Sequence, residues 1–415
     1  TILPKADADA WLAAGFAEYE RIVALEKALG DSGGKLTDAE RDRLAVALNA
    51  YRSRYLAGAR AGGDTPLART RQTPGGDWYR VATGKGVLVL HELREALGTE
   101  KFCALMDDFG RANAGKEVTA AAFADHVAKA TARNWDDFFA YWLRKPGLPD
   151  LKLESATVQS HAAAGAGNGG GGAGGFRVIG TLRLDGGPRR KVAVTVETAG
   201  GEQTQTIDVG ETSSFTVETT DRPLRVVVDK YGRMAKANGG PYTPSSFEDE
   251  RERALIVYGT RDEEAANRAT AELLREKIRT HWSNVTVPVK ADREVTEDDL
   301  RDRHLLLIGR PDTNRVVERF RDSLPVSFGW RSFAVRGETY AHAGGAVIAA
   351  AANPLNPRYS AVVLAGLSAD ATTRTPEAIY RKDGQGADVL ILPNGGNVKA
   401  LVTPARELVK EFNDH

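Results

Sequence analysis

The residues in this chain that could ligate a metal or act as nucleophiles are seven histidines, one cysteine and a scatter of carboxylates. The histidines stand at positions 91, 126, 161, 281, 304, 342 and 415. No two are three or four residues apart, the separation that puts two ligands on one face of a helix. The run His91-Glu92-Leu93-Arg94-Glu95 begins like the H-E-x-x-H of a zinc helix, but Glu95 stands at its last position. His91 is therefore expected to be a solvated or core-edge histidine. Cys103 lies in the apolar helical run Lys101-Phe102-Cys103-Ala104-Leu105-Met106 and reads as a buried structural thiol. With one cysteine no intrachain disulfide can form. Ser360 and Ser368 sit near strand ends without the context of a nucleophile elbow.

Two glycine-containing loops in residues 253–415 have the form of an anion site. Gly259-Thr260 and Gly309-Arg310 each follow an expected strand and precede an expected helix. In an open parallel sheet, ligands bind outside the carboxyl ends of the strands, where helix N-termini present free N–H groups. Arg261, Arg310 and Asn314 are the candidates for holding a phosphate, a carboxylate or a sugar there. The plainer reading is that Gly309 and Asn314 only make the turn and the helix cap. Neither loop is a Walker motif. The formal G-x-G-x-x-G at Gly165, Gly167 and Gly170 precedes a strand rather than a helix, so it reads as a flexible Gly-rich loop, 162–175.

The elements that would position these residues fall into blocks. Residues 1–149 read as helical. Thr37-Asp38-Ala39-Glu40 is a capping box, and Leu44, Leu48, Tyr51 and Tyr55 follow at helical spacing. Further helices are expected over Gly86–Leu97, after the cap Thr119, and over Trp135–Leu143. From about Leu151 the period becomes two, as in Val192, Val194 and Val196, and 150–236 reads as a small β-sandwich. The polar stretch 237–252 reads as a linker. Residues 253–415 alternate strands and helices, which predicts a largely parallel, Rossmann-like three-layer α/β domain with a strand over Val285–Val289. The fold class is thus multidomain: all-α, then β-sandwich, then α/β.

Three stretches carry a family resemblance: Trp11-Leu12-Ala13-Ala14-Gly15-Phe16-Ala17-Glu18-Tyr19, Thr83-Gly84-Lys85-Gly86, and Tyr141-Trp142-Leu143-Arg144-Lys145-Pro146-Gly147-Leu148-Pro149. They resemble, in order and spacing, W-L-N-E-G-F-A-x-Y, Y-x-K-G and W-L-x-x-P-G-x-P of the gluzincin zinc aminopeptidases, the membrane alanyl aminopeptidase group. The likeness covers about 1–236 and implies the C-terminal part of a catalytic domain followed by its β-domain. It also implies which residues should do the chemistry. The family's glutamate ligand falls on Ala14, whose methyl cannot bind zinc. Its oxyanion-stabilising tyrosine falls on Thr83, whose hydroxyl is too short to reach the same point. The H-E-x-x-H would fall roughly eighteen residues before Ala14, ahead of Thr1. Tyr79 could stand in for the tyrosine and a displaced Glu18 or Glu20 for the glutamate; the plainer reading is an aromatic packed beside Trp78 and solvent-facing acids.

The expected function is therefore a non-catalytic, zinc-less aminopeptidase-like scaffold or binding protein with a peptide or protein partner. One alternative is the C-terminal portion of an active zinc aminopeptidase whose H-E-x-x-H lies outside this chain; only then would zinc be a cofactor. The other is ligand binding through the α/β domain. The 56 basic and 56 acidic residues leave no net charge, which argues against nucleic-acid binding. No apolar run reaches the ~20 residues of a membrane span. A net charge near zero favours an oligomer or larger complex. Val257-Tyr258-Gly259-Thr260, Gly309-Arg310-Pro311-Asp312-Thr313-Asn314 and Asn353-Pro354-Leu355-Asn356-Pro357-Arg358-Tyr359 resemble an accessory domain behind some secreted bacterial esterases and peptidases, which implies an extracytoplasmic or secreted location.

Overall fold

A computed structural model describes residues 2–30, 36–161, 175–283 and 285–412. The Gly-rich run therefore lies, apart from Gly175, outside the described residues, and with it Gly165, Gly167 and Gly170. The chain is a mixed α/β protein with several sheets. It divides into two compact units, and neither is continuous in sequence. One holds Thr1–Gly33, Arg54–Gly239 and Pro404–His415; the other holds Gly34–Ser53 and Gly240–Thr403.

The first unit begins with helices. They are α1 (Ala10–Gly30), the part of α2 (Asp38–Gly62) from Arg54 onward, α3 (Asp77–Leu97), α4 (Thr99–Ala112), α5 (Ala120–Thr131) and α6 (Asp136–Arg144). Two short strands, β1 (Leu3–Pro4) and β2 (Glu117–Val118), pair in parallel. Helix α3 starts at Asp77, well before the expected Gly86, and Val81 to Arg94 are all buried. Its glycines are contact points rather than breaks. A Cβ on Gly86 would lie 2.6 Å from the Trp11 carbonyl oxygen, and one on Gly15 would lie 2.9 Å from the Gly86 carbonyl carbon. Helices α1 and α3 therefore cross backbone to backbone, which only glycine allows at these two positions. Trp11, Phe109 and Phe139 pack edge-on around the fully buried Phe123.

The same unit contains two antiparallel sheets sharing one core. One has the order β3–β4–β7 and is made of β3 (Asp150–His161), β4 (Gly175–Asp185) and β7 (Thr212–Thr219). The other has the order β19–β8–β5–β6 and is made of β5 (Arg190–Thr198), β6 (Gly201–Val209), β8 (Pro223–Val228) and β19 (Val409–Glu411). Val178, Leu182 and Val217 from the first sheet meet Val192, Val194, Val196 and Val226 from the second. β19 comes from the far end of the chain: Val409 pairs with Val227, and Leu408 is fully buried in the sandwich core.

The second unit is built on a seven-stranded sheet of order β10–β9–β11–β16–β15–β17–β18. Its strands are β9 (Ala254–Tyr258), β10 (Val289–Ala291), β11 (His304–Ile308), β15 (Ala346–Ala352), β16 (Ser360–Gly366), β17 (Val389–Leu392) and β18 (Lys399–Leu401). Every residue of β9, β11 and β16 is buried, as befits strands covered on both faces. On one face α7 (Glu264–His281) and α10 (Ala369–Thr373) pack on Ile256, Leu306 and Val362. On the other, α8 (Glu297–Arg301), α9 (Arg315–Phe320) and a small sheet pack on Leu255, Leu307 and Val363. The small sheet is β12 (Ser327–Gly329), β13 (Ser332–Val335) and β14 (Glu338–Tyr340).

Three expectations are corrected here. The sheet is parallel only through β10, β9, β11 and β16; β15, β17 and β18 pair antiparallel. The segment joining β15 to β16 is a tight turn, too short for the crossover that a parallel pair needs. The strand expected over Val285–Val289 begins only at Val289, because Pro288 has no N–H for the ladder; its carbonyl still accepts from Ile256 N–H. The polar stretch 237–252 is not a solvated linker, since Tyr242 and Phe247 are fully buried in the second unit's core. Among the described residues no helix is long and apolar enough to cross a membrane.

Candidate functional site

In the second unit the loops after β9, β11 and β16 converge at the carboxyl edge of the sheet. Their approach is close. A Cβ on Gly259 would lie 2.4 Å from the Thr313 carbonyl oxygen. Gly309 has φ +109°, in the region that favours glycine, and a Cβ there would lie 2.4 Å from Thr313 Oγ1. Gly259 N–H donates to Ile308 O, and Arg261 N–H donates to Thr313 O. Buried Asp292 completes the floor: its carboxylate accepts from Thr260 Oγ1 at 2.6 Å and from Arg315 N–H at 2.8 Å.

Above this floor opens a cleft of about 900 Å³. Its walls are residues 261–263 after β9, 310–312 after β11, Leu367 and Ser368 after β16, and the β12–β13 hairpin with Phe328 to Arg331. Such a crevice beyond the carboxyl ends of parallel strands is where open α/β sheets take their ligands.

The three expected site residues have different situations. Asn314 is fully buried and uses every polar valence. Its Oδ1 accepts from Val316 N–H and Val317 N–H, and its Nδ2 donates to Val257 O and Ile308 O. It caps α9 and ties β9 to β11, so nothing of it remains for direct contact with a ligand. Arg310 lines the cleft but is clamped. Nη1 donates to Gly366 O at 2.7 Å and faces Glu263 at 3.2 Å, while Nε lies 3.1 Å from Asp312 Oδ1. Arg261 lines the cleft with an exposed side chain that has no carboxylate partner among the described residues.

Trp330 was not singled out by sequence. It occupies the two-residue tip between Gly329 and Ser332, which pair across the hairpin, and 87% of it is exposed. Its neighbour Arg331 lies over the indole, 5.4 Å from the ring centroid, at φ +49°. The signal available in sequence was Phe328-Gly329-Trp330-Arg331, a glycine-marked turn carrying an aromatic. It was missed because β12 is only three residues long.

The positions singled out by the family resemblance lie in the first unit. Ala14 is half-buried on α1. Thr83 is fully buried on α3, and its Oγ1 has no hydrogen-bond partner among the described residues. Tyr79 is 48% exposed and packs edge-on against Trp78, 5.5 Å between ring centroids. Glu18 is paired with Arg21 at 3.1 Å, and Glu20 is exposed. These side chains do not make a zinc site, and among the described residues no group of three or more His, Cys, Asp or Glu could hold a metal ion.

The remaining reactive side chains are structural. His91 is buried rather than core-edge: Nδ1 lies 3.0 Å from the Tyr19 hydroxyl and Nε2 2.8 Å from Arg233 O. Burial holds its pKa down at about 4, so the ring is neutral. Glu92 accepts from Arg190 Nη1 at 2.8 Å and Ala235 N–H at 2.7 Å. Cys103 is half-buried on α4, not fully buried as expected, because it flanks the stripe formed by Phe102, Leu105, Met106 and Phe109. Ser360 Oγ and His304 Nδ1 lie 2.8 Å apart, but both residues are buried at the amino ends of β16 and β11, away from the cleft. Ser368 caps α10 and donates to Ala343 O.

No family model matches the chain, and no curated protein matches it. Among solved structures, the chain is similar to a crystal structure of Legionella pneumophila aminopeptidase A in complex with aspartic acid. The identity is 14% and the TM-score 0.29, over 53% of this chain and 23% of that one. The chain thus spans under a quarter of that protein's length, and the similarity is distant.

Proposed function

We propose that this chain is a non-catalytic, aminopeptidase-like protein that binds a small polar ligand through its second unit. The observation that carries the binding half is the cleft at the carboxyl edge of the seven-stranded sheet, with Arg261 and Trp330 on its walls. The Arg310–Glu263 pair ties the loop after β11 to the loop after β9. The non-catalytic half is supported by Ala14 and Thr83, which stand where the resembling gluzincins have their glutamate ligand and their oxyanion-stabilising tyrosine. In this reading the first unit is the inherited scaffold, and the second unit, Gly34–Ser53 with Gly240–Thr403, carries the added site.

The test is a thermal-shift panel of saccharides, short peptides and nucleotides. It compares the wild-type chain with a variant carrying both Arg261→Ala and Trp330→Ala. At least one class is expected to raise the midpoint of the wild type and leave the double variant unmoved. Hydrolysis of aminoacyl p-nitroanilides is measured in parallel and is expected at background. Turnover by the purified chain would restore the peptidase reading, in which a zinc segment outside this chain or a substitute ligand set completes the site. A panel without a shift specific to the intact cleft would remove the binding reading.

A further inference from the structure

The cleft's chemistry narrows the ligand, taking the binding reading above as its premise. Phosphate recognition in α/β folds relies on free N–H groups at a helix N-terminus. Here those positions are taken. Helix α7 is entered through Asp262, Glu263 and Glu264, three carboxylates that offset its dipole, so its N-terminus is not the anion-binding element of the cleft. At α9 the first free amides are bonded by Asp292 and Asn314.

What remains for an anion is side-chain charge. The cleft is lined by four arginines and four carboxylates. Arg310 is held by Glu263 and Asp312, and Arg321 by Glu318 at 3.4 Å. Among the described residues Arg261 and Arg331 have no carboxylate partner, so two guanidinium groups are left over. Arg331 sits in the left-handed region at a turn position where glycine or asparagine is the unstrained choice, so its side chain is held there against backbone preference. Next to it, Trp330 offers a broad flat ring to solvent, a platform for the apolar face of another ring. The paired Arg310, Glu263 and Asp312 supply donors and acceptors side by side, which is what a row of hydroxyl groups needs.

We propose that the cleft binds an acidic saccharide, with a sugar ring stacked on Trp330 and its carboxylate held by Arg261 and Arg331. A single carboxylate suits two forked guanidinium groups in the absence of a backbone nest.

The experiment is isothermal titration of the full chain with three uronate oligosaccharides: tetragalacturonate, a hyaluronan tetrasaccharide and an alginate tetramer. Maltotetraose is the neutral control, and ATP and inorganic phosphate are the phosphate controls. At least one uronate is expected to bind, with maltotetraose weaker by about tenfold or more, the worth of a hydrogen bond to a charged group. Arg261→Ala should remove that preference, and Trp330→Ala should weaken uronate binding by a similar factor. Because both side chains are exposed, the variants should keep the wild-type unfolding midpoint. Equal binding of maltotetraose, or an unchanged uronate affinity in Arg261→Ala, overturns the acidic-saccharide assignment and leaves a cleft that binds something else. Binding of ATP or phosphate in place of uronates, abolished by Trp330→Ala, does the same. No Trp330-dependent binding of any probe, together with a featureless thermal-shift panel, overturns this assignment and the binding reading at once.

Discussion

At the scale of single residues, the two units carry buried ionisable groups with opposite responses to acid. His91 in the first unit is held neutral, with its pKa near 4 against an ordinary value near 6.5. The stability this represents is complete above pH 6.5 and is lost as the pH falls toward 4. Asp388 in the second unit behaves the other way. It is buried, and its carboxylate accepts from Thr403 N–H at 3.0 Å and Thr403 Oγ1 at 2.5 Å. Burial nevertheless pushes its pKa up to about 6. A carboxyl with a raised folded-state pKa contributes stability that is complete below its unfolded value near 3.9 and is lost by about pH 6. A rise from near 3.9 to about 6 corresponds to on the order of 2–3 kcal/mol. Asp388→Asn removes the titration while keeping an acceptor for Thr403. The variant should therefore compare with the wild type about 2 kcal/mol more favourably at pH 7 than at pH 4. Urea unfolding of both proteins at the two pH values checks this. A difference independent of pH would mean that Asp388 titrates normally.

At the scale of elements, the crossing of α1 and α3 explains why the resembling motifs have the residues they do. Trp11, Gly15 and Gly86 are the contact itself. Lys85 is fully buried and its Nζ donates to Lys145 O at 2.7 Å, closing the end of α6, with its pKa lowered to about 8 by burial. Gly86→Ala would gain about 1 kcal/mol of helix propensity. It would also drive a methyl against the Trp11 carbonyl, and overpacking of a close crossing costs about 1–3 kcal/mol. The variant should be less stable than the wild type, read as a lower urea midpoint at unchanged m-value. A stabilised Gly86→Ala would show the crossing to be looser than described. Much of this layer was legible in sequence. Thr37 and Glu40 form the reciprocal cap read from their spacing, with Thr37 N–H donating to Glu40 at 2.7 Å. Thr119 caps α5 as expected, and the period-two valines of β5 do point into the sandwich core. The start of α3 was not legible, because glycines used for packing look like glycines used for stopping a helix. At the cleft, Arg261 and Arg310 followed from the strand-then-helix pattern of their loops. The clamping of Arg310 and the burial of Asn314 depend on residues 263, 312 and 366, and no local pattern brings those together.

At the scale of the whole chain, sequence reading failed on continuity. Residues 253–415 look self-contained, since strands and helices alternate from end to end. The second unit nevertheless includes residues 34–53, and the last described residues leave it to complete the sandwich through β19. The contacts of residues 34–53 are specific. Val46 lies in the core beneath the seven-stranded sheet, and Asn49 Nδ2 donates to Gly386 O at 2.7 Å. A Cβ on Gly386, which has φ +102°, would lie 2.2 Å from the Val46 carbonyl oxygen. A fragment 253–415 lacks all of this, together with fully buried Tyr242 and Phe247. Each buried aromatic of that kind is worth about 3–5 kcal/mol when lost from a core, against the 5–15 kcal/mol that holds a typical protein folded. The fragment should unfold non-cooperatively and bind a hydrophobic dye, and it should fail to bind any ligand of the cleft. Residues 240–403 retain both aromatics and should melt at a higher temperature when a synthetic peptide of residues 36–53 is added, because the peptide binds only the folded fragment. An equal midpoint with and without the peptide would show that 34–53 is dispensable, and the unit would then be as continuous as its sequence suggests.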